Sequence, residues 1–170
     1  MRAMLASSVA PLAVPPRVLG RGGVAPAERV TVGCIGTGSH FMGRNLPCMR
    51  QVPDIQLVSV CDVDAERMEQ ARQAVAQSYG AGVTAHGDFR DILAQQTVDA
   101  VMVSTTDHWH VPISILAARA GKDVICEKPL THNVADGRRL VETIRQTGRV
   151  FQTASENRTV PEYKQMCEIA

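Results

Sequence analysis

The stretch Arg29-Val30-Thr31-Val32-Gly33-Cys34-Ile35-Gly36-Thr37-Gly38 decides the fold. An apolar run of strand length that passes directly into closely spaced glycines is the pattern of a buried strand turning into a helix. Gly36 permits the tight turn, and Gly38 lets backbone N–H groups approach a ligand with no Cβ in the way. The helix that follows would add unpaired N–H groups and a positive dipole end, which suits a pyrophosphate. The usual spacing, G-x-G-x-x-G, would place a third glycine at position 41, but that residue is Phe41 and the next glycine is Gly43. The turn therefore reads G-x-G-x4-G, which predicts a loop two residues longer or a helix that starts later.

Working outward, strand and helix patterns alternate. Strands are expected at 29–35, 55–61, 83–85, 98–103, 123–126 and 149–154, with helices at 39–50, 65–79, 88–95, 111–120 and 133–147. Asp64 and Asp88 are suited to cap their helices, and Gly80, Gly121 and Gly148 end the helices before them. Strands separated by ten- to fifteen-residue helices imply right-handed crossovers and a parallel sheet. The expected class is α/β, a Rossmann-type doubly wound parallel sheet. Residues 29–154 would form that domain, and 155–170 would be only the start of a second, α+β domain.

Composition narrows the function. With 18 Lys+Arg against 17 Asp+Glu, the chain lacks the basic surface that nucleic acid requires. No run is long enough to span a membrane. Cys34, Cys48, Cys61, Cys126 and Cys167 form no C-x-x-C pair, and three of them fall in or at the end of strands, as small buried apolar residues do. Residues 1–28 stand apart: no acid precedes Glu28, and an Ala/Leu/Val/Ser stretch leads to Pro15-Pro16. Two readings stay open for them, a flexible tail and the remnant of an export signal.

Three segments at strand ends carry the chemistry. Asp62 closes the second strand, where a carboxylate accepts hydrogen bonds from adenosine ribose hydroxyls and repels a 2′-phosphate. Val63 and Asp64 follow it with no arginine, so NAD is favoured over NADP. The alternative makes Asp62 a helix cap, as Asp64 is. Ser104-Thr-Thr-Asp-His-Trp-His110 follows the fourth strand, where ligands of open α/β sheets bind. It either lies against the nicotinamide ribose, or Asp107 caps a helix that Trp109 and His110 pack. Two histidines one residue apart, with no further ligand cluster, do not make a metal site. Glu127-Lys128-Pro129 ends the fifth strand. There Pro129 fixes the backbone and Glu127 orients or pairs with the Lys128 ammonium, a cation placed to hold and polarise a substrate hydroxyl or carbonyl during hydride transfer. A solvated lysine is the plain alternative.

In this order, Gly36-x-Gly38, Asp62, Ser104-Thr-Thr-Asp-x-x-His110 and Cys126-Glu-Lys-Pro-Leu130 resemble the Gfo/Idh/MocA oxidoreductase family over roughly residues 29–170. The resemblance implies Gly36, Thr37, Gly38 and Asp62 as cofactor contacts. It places Thr105, Asp107 and His110 on the nicotinamide side, with Glu127 and Lys128 at the reaction centre as catalytic and cofactor-binding residues. Thr106 stands where many members have proline, and Asn157-Arg158 resembles the pair at the crossing into the second domain. That second domain is a mostly antiparallel sheet bearing the remaining catalytic residues, so the chain is expected to be a truncated product, prone to self-association.

What the resemblance implies is a nicotinamide-dependent oxidoreductase acting on a sugar or cyclitol hydroxyl, represented by its NAD-binding half. An NAD-dependent glycosidase of the same family and a non-catalytic dinucleotide-binding fragment are the alternatives. Segments near Pro15 and Val24 are similar to those that follow a twin-arginine signal in exported members, although no twin arginine is present. Cytoplasm and bacterial periplasm both stay open.

Overall fold

The computed structural model describes residues 28–155 and 160–169. The N-terminal segment up to residue 27 and the Asn157-Arg158 pair lie outside the described residues. Strands are β1 Val30–Ile35, β2 Ile55–Cys61, β3 Thr84–His86, β4 Ala100–Val103, β5 Asp123–Glu127 and β6 Phe151–Ala154. After β1 comes a helix wound as a π-turn over Phe41–Asn45 and continued as α1, Leu46–Met49. The remaining helices are α2 Ala65–Tyr79, α3 Phe89–Leu93, α4 Asp107–Arg119, α5 Val134–Thr147 and α6 Pro161–Ile169.

All six strands are parallel, in the order β3-β2-β1-β4-β5-β6. The order reverses between β1 and β4, the topological switch point at which open α/β sheets bind ligands. Register carries this to individual residues. Ile35 stands opposite Cys61 and Val103, and Val103 opposite Cys126. The residues immediately following these positions are Gly36, Asp62, Ser104 and Glu127, so one edge of the sheet collects all four.

Alternation along each strand divides the core between the two faces. Val32, Cys34, Leu57 and Met102 pack on one side with Phe41, Leu46, Ala71 and Val75. On the other side Ile35, Val101, Val103 and Cys126 pack with Ile92, Ile113 and Ala117. Burial of a side chain such as Phe41 contributes about 2–3 kcal/mol. Both faces are covered, which is why the strands read as nearly continuous apolar runs.

The glycine turn differs from both expectations for it. The helix starts at once, with the Met42 N–H donating to the Gly38 carbonyl at 3.1 Å. The loop is not longer and the helix is not late; the extra length is taken up inside the helix, by the π-turn. Phe41, at the position of the missing third glycine, is fully buried in the core. Gly43 has open space where a Cβ would be, so it does not replace that glycine.

A second correction concerns α4, which begins at Asp107 rather than 111. Thr106 is its N-cap, without a side-chain bond, and Asp107 sits in the first turn, where its charge favours the dipole. Proline is best tolerated in a first turn. Here Pro112 lies inside the helix, and the bond it removes would have gone to the carbonyl of the exposed His108. Asp64 and Asp88 cap α2 and α3 as read, accepting from Glu66 and Arg67, and from Arg90. Gly148 ends α5 in the left-handed region, φ 64°.

Candidate cofactor site

Along the strand ends runs a cleft of about 630 Å³, within the roughly 300–1,000 Å³ common for small-molecule and cofactor sites. Its walls include Gly36, Gly38, Asp62 and Thr105, which the sequence singled out, and His40 and Trp109 beside them.

At the glycine turn, Gly36 has φ 86°, and a Cβ there would lie 2.6 Å from the Ser104 carbonyl oxygen. Only glycine lets β1 turn this close to the end of β4. Gly38 is different, because a Cβ there would meet nothing within 4 Å. The space left at Gly38, beside the first turn of a helix, fits the phosphates of a dinucleotide.

Asp62 holds this turn in shape. Its Oδ2 accepts from the Thr37 N–H at 2.7 Å and from the Thr37 hydroxyl at 3.1 Å, while Oδ1 accepts from the Asp64 N–H at 3.0 Å. Thr37 is therefore buried beneath the turn rather than on the wall. Asp62 is more than a cap: it ties β2 to the glycine turn and still lines the cleft. Behind it, burial first, and then the Asp62 charge, push the Cys61 thiol up to about 12. Arg67 and Arg90, which the sequence reading passed over, also stand on this wall. Each is paired, Arg67 with Asp64 at 3.6 Å and Arg90 with Asp88 at 3.0 Å. The Arg90 N–H and guanidinium hold the Asp88 carboxyl below its usual range. Phe89 lies under the Arg90 guanidinium at 4.8 Å, with Trp109 6.2 Å beyond it, so this end of the cleft has aromatic walls.

At the end of β4, Ser104 accepts from the Asn45 side-chain N–H at 3.0 Å, and Thr105 and Thr106 line the cleft. Asn45 belongs to the π-turn, whose winding is not apparent in the sequence. Asp107 is exposed in the first turn of α4 and is absent from the wall. His110 is also off the wall, buried at 1 % exposure, with its ring nitrogens against the carbonyl oxygens of Pro129 and Thr105. Its position is that of a brace between two loops, not of a surface that touches a ligand.

Glu127 is buried as the last residue of β5, and Lys128 is exposed. The expected pairing of the two is not formed. Glu127 Oε1 lies 3.2 Å from His40 Nε2, and Oε2 accepts from the Lys128 backbone N–H, at 3.3 Å. The Lys128 ammonium makes no hydrogen bond or ion pair among the described residues. His40 escaped the sequence reading, although it stands two residues past Gly38.

Known proteins resemble this arrangement. The chain is 34% identical to inositol 2-dehydrogenase 1 of Saccharopolyspora erythraea, over 81% of this chain and 40% of that protein. It is 35% identical to a glycosyl hydrolase family 109 protein of the same organism, over 72% of this chain and 27% of that protein. Among solved structures, a 3-ketoreductase from Actinomadura kijaniata in complex with NADP and TDP-benzene superposes with a TM-score of 0.73. It is 26% identical, over 83% of this chain and 42% of its own. The chain thus spans well under half the length of each of these proteins. The model of the Gfo/Idh/MocA oxidoreductase family, NAD-binding Rossmann fold, matches residues 30–155, and this chain belongs to that family, whose NAD(P)-binding domain it carries.

Proposed function

We propose that this domain holds NAD in preference to NADP, for an oxidoreductase that moves hydride between the nicotinamide and a hydroxyl-bearing carbon of a sugar or cyclitol. The observation that carries the reading is the single cleft wall shared by Gly38, Asp62 and Thr105, on which register brings three strand ends together. The nicotinamide supplies the hydride chemistry when bound. The chain's own residues bind and orient. Backbone N–H groups of the first helical turn, beside the open space at Gly38, receive the phosphates. Asp62 accepts from the ribose hydroxyls and disfavours a 2′-phosphate by charge. The Lys128 ammonium, off the cleft wall and without a partner among the described residues, is the cation proposed to hold and polarise a substrate oxygen. Thr105 lines the nicotinamide side, and His110 steadies its loop from behind.

NAD preference has a specific counterweight in Arg67 and Arg90, the cations that an extra phosphate would attract. Both are already matched by carboxylates, Asp64 and Asp88, which favours the NAD reading. The test is a fluorescence titration with NADH and NADPH, repeated with Asp62→Ala. Tighter binding of NADH, and a loss of that preference in the variant, are the expected results; tighter NADPH binding overturns it.

The likeness to a glycosyl hydrolase family 109 protein supports a second reading, in which NAD stays bound while a glycosidic bond is broken. Retention of the cofactor through purification and turnover, with no net NADH released by the whole enzyme, favours that branch. Either way the substrate is a small polyol or glycoside. Tyr163, Met166 and Ile169, all exposed on α6, support self-association of the chain.

A further inference from the structure

A buried carboxylate at the end of β5 meets a half-exposed imidazole on the cleft wall. Glu127 is 4 % exposed, and an ionised carboxylate this deep needs donors. Among the described residues two face it: the His40 ring at 3.2 Å and its own neighbour's backbone N–H at 3.3 Å. An ionised carboxylate only accepts, so His40 Nε2 is the nitrogen that carries a hydrogen toward it. The imidazole is 44 % exposed and stands on the cleft wall, in the first turn after the glycines. The acid next to Lys128 is thus aimed back toward the phosphate-binding turn, not toward the lysine.

We propose that His40 is a positioning residue for the nicotinamide half of the cofactor. Its Nε2–H holds the Glu127 carboxylate at the end of β5, so that the phosphate turn and the Glu127-Lys128-Pro129 turn are set in one relative position. This rests on the reading of the cleft as a dinucleotide site. The pair spans elements far apart in the chain, and neither the Lys128 ammonium nor any other described side chain takes over the role of His40. Without the ring, Glu127 keeps one long backbone bond among the described residues and is free to turn away.

The experiment is a binding series with the full 170-residue chain, using NADH fluorescence and competition by ADP, which carries the adenosine and two phosphates without the nicotinamide half. The variants are His40→Ala, His40→Asn, His40→Gln and Glu127→Gln, together with the His40→Ala/Glu127→Gln double variant. The glutamine side-chain nitrogen reaches the place of Nε2, whereas that of asparagine falls short. His40→Ala and His40→Asn are expected to weaken NADH about tenfold, the scale of a hydrogen bond to a charged group. ADP affinity is expected to stay within about twofold, which also shows that each variant is folded. His40→Gln should restore NADH binding to within about threefold, and the double variant should lose no more than the worse single one, as coupled residues do. An equal loss for NADH and ADP, additive losses in the double variant, or a glutamine that rescues no better than asparagine overturns the proposal. An unaltered chain that binds ADP and not NADH overturns it too, while one that binds neither overturns the cofactor reading beneath it.

Discussion

The Nδ1 atom of His110 lies 2.7 Å from the carbonyl oxygen of Pro129, and this contact joins the turn after β5 to the first turn of α4. The other ring nitrogen faces the Thr105 carbonyl oxygen at 3.1 Å. Both partners only accept, and a neutral imidazole donates through one nitrogen. His110 therefore braces the loops that carry Thr105 and Lys128. We expect His110→Ala to lower unfolding free energy by about 2–4 kcal/mol, through lost packing and the loss of the ring's hydrogen bond to a backbone carbonyl. Urea denaturation measures it, and an unchanged midpoint would show that the brace is dispensable.

The two glycines of the turn should separate stability from binding. Gly36→Ala meets the Ser104 carbonyl at 2.6 Å in a left-handed conformation, so it should destabilise the fold by about 2 kcal/mol or more. Gly38→Ala meets nothing, and should leave the melting temperature nearly unchanged while weakening NADH by the volume of its methyl group in the phosphate cradle. The reverse pattern, a stable Gly36→Ala and an unstable Gly38→Ala, would contradict the turn geometry.

Cysteine reactivity should divide by burial. Cys34, Cys61 and Cys126 are buried, which pushes each thiol up to about 12. At pH 8 only about one in ten thousand of such groups is thiolate, the reactive form. Iodoacetamide on the native chain should label the exposed Cys48 and Cys167 and spare the other three until denaturant is added. Peptide mass spectrometry reads this directly.

Acid stability should depend on Asp99. Its Oδ2 accepts from the Thr31 N–H at 2.8 Å and the Thr31 hydroxyl at 2.7 Å, joining the starts of β1 and β4. These bonds hold its carboxyl below the usual range. A lowered folded-state pKa contributes stability that is present in full above the unfolded value, near 3.9, and is lost as pH falls through the folded one. Asp99→Asn should therefore be less stable than the unaltered chain at pH 7, with the gap closing at lower pH. Melting curves from pH 7 to 2 check the convergence, and a gap that widens toward acid would refute it.

How much of this was legible in the sequence depended on range. Asp64 and Asp88 could be read as caps, because a cap bonds backbone N–H groups only two or three residues away. The π-turn could not, since Phe41 and Gly43 reveal only that the usual spacing fails, not where the extra length goes. The start of α4 at Asp107, four residues before the expected one, is marked by no side-chain cap, since Thr106 makes none.

By itself the sequence determined the parallel α/β class, the glycine turn, and the placing of Asp62, Ser104 and Glu127 at strand ends, because strand and helix periods and crossover handedness follow from local pattern. Only the tertiary structure decided partners. Glu127 could have paired with the adjacent lysine, yet its carboxylate faces His40, which strand register brings within 3.2 Å from the far side of the switch point. His110 could have faced the cleft, but its ring turned inward between two carbonyl groups. Side-chain partners across a sheet follow from distances that exist only after folding, and no spacing along the chain encodes them.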